Sequence, residues 1–148
     1  MRIAEVIRRK GADVVTVAPD TGVADLIAQL DEHKIGALVV SPDGGQTVVG
    51  IVSERDVVRR LHTDGASVLE RTVAEIMTSD VQICQPEDEL ETLARRMTDL
   101  RVRHLPVVVD GKLRAIVSIG DVVKNRLDEL QDERDQLVTY VQGREPIS

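Results

Sequence analysis

The sequence predicts an α/β (α+β) protein made of two tandem copies of one strand-helix-strand-strand-helix unit, each a small, mostly three-stranded sheet with two helices, followed by a long C-terminal helix. Three observations predict it. The chain aligns with itself at an offset of 67 residues. Each copy holds one apolar pattern of helical period, then two β-branched runs around a glycine-containing turn. From Asp121 the sequence runs without Gly or Pro as far as Gly143.

Pro19 and Pro86 start the alignment, which lays Val14 on Val81, Val23 on Leu90, Leu30 on Met97, Ile35 on Val102, Leu38 on Leu105 and Val40 on Val107. After a two-residue contraction, the segment from Ile51 to Val58 falls on that from Ile116 to Val123, and Ala4-Glu5-Val6-Ile7 matches Ala74-Glu75-Ile76-Met77. The expected organisation is repeat 1 over 1–62, a linker over 63–72, repeat 2 over 73–124, a helical extension over 125–143 and a flexible tail over 144–148.

In each copy a short amphipathic segment, 3–9 or 73–77, leads to a strand near Val14–Val17 or Val81–Cys84. The next helix carries Val23, Leu26, Ile27 and Leu30, or Leu90, Leu93, Ala94 and Met97, at the 3.6-residue period. Thr21 and Asp88 stand where N-caps are expected, and Asp88 has Glu91 three residues on, as in a capping box. Apolar runs at Ala37–Val40 and Val48–Val52 flank Asp43-Gly44-Gly45, and those at Leu105–Val109 and Leu113–Val117 flank Asp110-Gly111, both hairpin patterns. Second helices follow Ser53 and Ser118. One such unit is too small to bury its apolar face alone, so the copies are expected to associate.

Composition bounds the function. Val, Ile and Leu supply 47 of the 148 residues, and Tyr140 is the one aromatic, so the core is aliphatic and wholesale disorder is not expected. A net charge of -7 without a dense basic run argues against nucleic acid. No apolar stretch reaches the roughly 18 residues of a membrane span and no signal-peptide pattern opens the chain, so a cytoplasmic protein without a membrane role is expected. Cys84, the single cysteine, reads as a small buried hydrophobe. Neither a nucleophile-base pair nor metal-ligand spacing is found, so no catalytic residue, metal site or required cofactor is expected, and the chain reads as not an enzyme. Met77 and Met97 read as core, and of the three histidines only His104 is a functional candidate.

The paired motifs Ile35-Gly36-Ala37-Leu38-Val39-Val40 and Val102-Arg103-His104-Leu105-Pro106-Val107-Val108, with Gly50-Ile51-Val52-Ser53-Glu54-Arg55-Asp56 and Ala115-Ile116-Val117-Ser118-Ile119-Gly120-Asp121, resemble the CBS-domain family, whose tandem pair is called a Bateman module. The resemblance covers about residues 1–124. It implies two repeats related by a pseudo-twofold axis, usually dimerised, that bind adenine-containing ligands in clefts between the repeats. For one cleft it nominates Ile51, Ser53 and Asp56 with Thr78, Val81, Arg103 and His104. For the other it nominates Ile116, Ser118 and Asp121 with Gly11, Ala12, Asp13, Ile35 and Gly36. The implied function is regulatory sensing of AMP, ADP or ATP, with NAD(H) or an adenosyl compound as further ligands, acting on an unidentified regulated protein. The alternative is a constitutive homodimeric scaffold in which the same residues only cap helices.

Ser-x-x-Asp at a helix start brings a hydroxyl, backbone N–H groups and a carboxylate within one turn. The N–H groups and the helix dipole favour a phosphate, and the carboxylate accepts from ribose hydroxyls. Arg103 and His104 can add charge-assisted bonds where the matching Gly36 and Ala37 offer only room and backbone. Arg8, Arg9 and Lys10 place positive charge toward the second cleft. In the tail, Val123, Leu127, Leu130, Leu137 and Val141 follow alternating four and three spacings, interrupted by Arg134. That helix either folds back on its own module or pairs with its counterpart in a second chain.

Overall fold

The computed structural model describes residues 1–11 and 13–143. The nominated Ala12 and the expected tail over 144–148 lie outside the described residues. The elements run α1 (Ile3–Lys10), β1 (Thr16–Val17), α2 (Val23–His33), β2 (Ala37–Val40), β3 (Gly50–Ser53), α3 (Glu54–Asp64), a 3-10 helix (Gly65–Glu70), α4 (Val73–Ile76), α5 (Leu90–Leu100), β4 (His104–Val109), β5 (Lys112–Ser118) and α6 (Ile119–Val141). They form two compact units that each draw on both sequence repeats: of the described residues, one holds 1–11, 86–104 and 117–143, the other 13–85 and 105–116.

In the larger unit β1 runs parallel to β2, with Thr16 opposite Val39, and β2 runs antiparallel to β3, with Val40 opposite Gly50. Val17, Leu38, Val40 and Val52 from this sheet pack with Val23, Leu26 and Leu30 of α2, Val57 of α3, Val68, Val73 and Ile76. Each such aliphatic side chain contributes on the order of 1.5–3 kcal/mol by leaving water. In the smaller unit Ile3 and Val6 of α1, Leu90, Leu93 and Met97 of α5 and Val122 of α6 are all buried.

The repeats differ in their first strand. β4 and β5 form a two-stranded hairpin through Asp110 and Gly111, both at positive φ (52° and 77°) as a type I′ turn requires. The strand expected at Val81–Cys84 contracts to one parallel bridge, in which Cys84 N–H donates to Pro106 O (2.9 Å) and Val108 N–H to Cys84 O (3.0 Å). Pro106 explains the contraction, because continuing the ladder to Gln82 needs the N–H that proline lacks. Cys84 itself is buried, and Met97 is core.

Thr21 and Asp88 are not the N-caps. The caps are Gly22 and Glu89, and neither makes a side-chain capping bond. Backbone carbonyls replace the side chains. Val23 N–H donates to Arg71 O while Val73 N–H donates to Thr21 O, and Leu90 N–H donates to Met1 O while Ile3 N–H donates to Asp88 O (2.8–2.9 Å). Ala74 and Ala4 repeat the pattern onto the carbonyls of Pro19 and Pro86 (2.9 Å). The start of each short helix is thus hydrogen-bonded to the start of the long helix of the other repeat, which satisfies the first orphan donor of each long helix and the first two of each short one.

Candidate functional site

Ser53 and Ser118 end β3 and β5 in extended backbone and cap α3 and α6. Ser53 N–H donates to Asp56 Oδ2 (2.8 Å) and Asp56 N–H to Ser53 Oγ (3.3 Å); Ser118 N–H donates to Asp121 Oδ2 (3.0 Å) and Asp121 N–H to Ser118 Oγ (3.1 Å). Both corners are therefore closed capping boxes. A further backbone bond buttresses each: Glu54 N–H donates to Gly36 O (3.0 Å) and Ile119 N–H to Arg103 O (2.8 Å).

What remains unpaired is the same at both corners. Among the described residues, the hydrogen bonds to Asp56 and to Asp121 all fall on Oδ2, which leaves Oδ1 as an acceptor. Among the described residues, the second N–H of each helix, on Arg55 and on Gly120, takes no backbone partner. Each corner thus offers one carboxylate oxygen and one helix N-terminal donor within a turn of each other.

The corners differ in their surroundings. At Asp56, Ile51 and Thr78 pair through Ile51 N–H to Thr78 O (3.0 Å) and Thr78 N–H to Ile51 O (2.9 Å), so this part of the nominated set is assembled. Val81 is half-buried and donates its N–H to Ser79 O (3.1 Å). Gly50 makes the Ile51–Thr78 approach feasible: a Cβ there would stand 2.5 Å from Met77 Sδ and 3.0 Å from Thr78 O. Arg103, exposed, and His104, half-buried, belong to the other compact unit.

At Asp121 the Lys10 ammonium pairs with Oδ2. Burial raises the Asp121 carboxyl pKa, but the Lys10 hydrogen bond, the Ser118 N–H and the Lys10 charge outweigh it and hold it below the ordinary carboxylate value. Arg9 Nη1 donates to Asn125 Oδ1 (3.2 Å), and Asn125 Nδ2 donates to Asp121 O (2.8 Å), so the end of α1 is fastened to the first turns of α6. Gly11 follows Lys10 and is exposed. Asp13 and Ile35, both exposed, and the half-buried Gly36 and Ile116 lie in the other unit, where Gly36 buttresses the Asp56 corner.

Sequence reasoning did not single out Gly50 or Asn125. A glycine inside a β-branched run signals close backbone approach, and an asparagine four residues after the helix-capping Asp121 signals a side chain turned back on the helix.

A model of the CBS domain matches residues 3–63 and 73–128. The CBS domain-containing protein CBSX3, mitochondrial, of Arabidopsis thaliana is 34% identical over 148 residues, covering 95% of this chain and 72% of that protein. The solved structure of the CBS-domain containing protein ATU1752 from Agrobacterium tumefaciens superposes with a TM-score of 0.82 at 43% identity, covering 85% of this chain and 99% of that one. A CBS domain protein from Pyrobaculum aerophilum, solved complexed with AMP, shares the fold with a TM-score of 0.72 at 24% identity, covering 82% of this chain and 89% of that one.

Proposed function

The chain belongs to the CBS-domain family, and from that premise we propose that it is a regulatory module that senses adenine-containing nucleotides, without catalysis of its own. The observation that carries the proposal is the pair of matching corners, each with a carboxylate oxygen and a helix N-terminal N–H that take no partner among the described residues. A nucleoside phosphate presents the complementary groups, hydroxyls that donate and a phosphate that accepts. In this reading Ile51, Ser53, Asp56, Thr78 and Val81, with Arg103 and His104, serve one ligand. Ile116, Ser118 and Asp121, with Gly11, Ala12, Asp13, Ile35 and Gly36, serve the other. AMP, ADP and ATP lead, because the fold is shared with a protein solved with AMP; NAD(H) and adenosyl compounds share the same adenosine half.

The reading includes a homodimer, an unidentified regulated protein and a cytoplasmic location. Among the described residues no helix is long and apolar enough to cross a membrane. Since one relative is named as mitochondrial, cell fractionation tests the compartment.

The closed capping boxes favour a second reading, a constitutive scaffold whose Asp56 and Asp121 only stabilise helices. Calorimetric titration with AMP, ATP and NADH separates the two. Binding is expected, with Asp56→Asn and Asp121→Asn each weakening it about tenfold or more for the loss of one charge-assisted bond. No heat with any of these ligands at millimolar concentration would leave the scaffold.

A further inference from the structure

We infer that the exposed stripe of α6 is an interaction surface for α6 of a second copy of this chain, packed antiparallel. α6 has two faces. Val122 and Asn125 are buried against the smaller unit, and Arg126 pairs with Glu91 (3.7 Å) and Glu129 (3.3 Å), which fixes the helix on its module. About a third of a turn round the helix from that face, Val123, Leu127, Leu130, Leu137 and Val141 are 45% to 80% exposed, and with Arg134 they continue the alternating four and three spacing without a break. Val138 (45% exposed) widens the stripe at its end. Alternating four and three is the spacing of a coiled-coil seam.

The occupant and its direction follow from area and charge. The stripe is about 27 Å long at 1.5 Å per residue. Its apolar side chains expose on the order of 350 Å² per chain, taking about 100 Å² for a whole aliphatic side chain. A stable pair buries roughly 800 Å² per partner with its polar rim, so the stripe suffices only when paired over its full length. The same helix of a second copy gives a seam of equal length.

A parallel pair would set Arg134 against Arg134 of the second copy inside the seam, a repulsive layer. Antiparallel pairing removes it. Val123 then meets Val141 of the second copy, Leu127 meets Leu137, and Leu130 meets the aliphatic stem of Arg134, whose guanidinium reaches the rim beside the acidic run of Asp132, Glu133 and Asp135. Every seam residue has a counterpart in a twofold arrangement. The family match ends at residue 128, so Leu130, Arg134, Leu137 and Val141 lie beyond it.

Cross-linking tests direction. In a Cys84→Ala background, Leu127→Cys and Leu137→Cys chains carrying tags of different mass are mixed and oxidised. Disulfides between the two variants are expected to predominate. Predominant 127–127 and 137–137 products overturn the antiparallel arrangement, and no cross-linked product overturns the pairing. Sedimentation tests the assembly in otherwise unaltered protein: Leu127→Glu/Leu137→Glu, at positions 60% and 64% exposed, is expected to halve the assembly mass at about 100 µM while the melting curve stays in place. Halving is expected where α6 alone joins the copies; where the modules also join the same two copies the mass stays and the 127–137 cross-link carries the inference, and an unchanged mass without that cross-link overturns it. Nucleotide titration of the same double variant is expected to match the wild type, so this result stands apart from the ligand reading.

Discussion

Gly50→Ala perturbs the Asp56 corner through one methyl group. The new Cβ would lie 2.5 Å from Met77 Sδ and 3.1 Å from its Cγ, and 3.0 Å from the carbonyl oxygen of Thr78. The thioether is the far end of a flexible chain and can leave for a strained rotamer at about 0.5–1.5 kcal/mol. The carbonyl cannot leave without lengthening the two Ile51–Thr78 hydrogen bonds, each worth about 1 kcal/mol. The sum, about 1–3 kcal/mol, is the usual cost of overpacking. At about 2–4 °C per kcal/mol for a chain of this size, the melting temperature should fall by about 3–10 °C. A thermal melt reads this directly, and a double-mutant cycle with Met77→Ala apportions it. Removing the thioether should recover part of the loss, since the carbonyl clash remains. Titration of the surviving fold should show binding at the Asp56 corner weakened and that at Asp121 unchanged. A Gly50→Ala protein that melts within 1 °C of the parent would refute the reasoning, because it would show that the Ile51–Thr78 pair is not held as described.

Lys10→Met should raise the Asp121 carboxyl pKa, read by NMR titration of that side chain. A group held low when folded stabilises above its unfolded pKa and loses that contribution as pH falls through its folded value, so the variant should also unfold at a higher pH during acidification; an unmoved Asp121 titration would count against the ion pair. Arg101→Gly and Lys34→Gly should each raise stability by about 0.5–1 kcal/mol, because both residues end their helices at positive φ (56° and 54°) where glycine is unstrained; Arg101→Ala, the control, should bring no gain in a thermal melt. Leu26→Ala and Leu93→Ala, at 0% and 1% exposure in the two compact units, should each cost about 2–5 kcal/mol in denaturant unfolding, and a loss below 1 kcal/mol would place the side chain outside the core.

Much of this fold is legible because the chain states it twice. A 3.6-residue pattern at Val23, Leu26 and Leu30 is ambiguous in one short segment, but its recurrence at Leu90, Leu93 and Met97 fixes the helix, and the two Ser-x-x-Asp corners gain weight in the same way. What escaped depends on contacts between segments distant in sequence. Thr21 and Asp88 have the right chemistry for N-caps, but the donors they would satisfy are taken by the carbonyls of Arg71 and Met1. A local capping rule cannot register a partner 50 or more residues away. The first strand of repeat 2 has the composition of its counterpart, and it is a proline in the neighbouring strand that shortens it. Grouping of site residues is of the same kind: sequence marks Gly36 and Arg103 as notable, and the structure shows each buttressing, through its backbone, the helix start of its own repeat.

The difference between the corners follows from where two related helices stop. Ala4–Ile7 aligns with Ala74–Met77, yet α1 continues to Lys10 whereas α4 ends at Ile76. Because α1 is longer by a turn, its basic end reaches α6, with Lys10 on Asp121 and Arg9 on Asn125. Because α4 is short, the chain is extended by Thr78 and becomes an edge partner of Ile51 instead. One corner thus carries a built-in cation on Oδ2 of its carboxylate, beside the Oδ1 that a hydroxyl seeking Asp121 would take; the Asp56 corner has no cation on its carboxylate among the described residues. On the proposed reading, a ribose hydroxyl takes Oδ1 while the Lys10 charge beside it attracts the phosphate, so a ligand there gains most when it brings both. Adenosine and AMP should accordingly differ more in affinity at Asp121 than at Asp56, measured in Asp56→Asn and Asp121→Asn backgrounds. The gap at Asp121 should shrink with added salt and in Lys10→Met. Equal AMP-to-adenosine ratios at both corners would mean that Lys10 is a structural ion pair that takes no part in recognition.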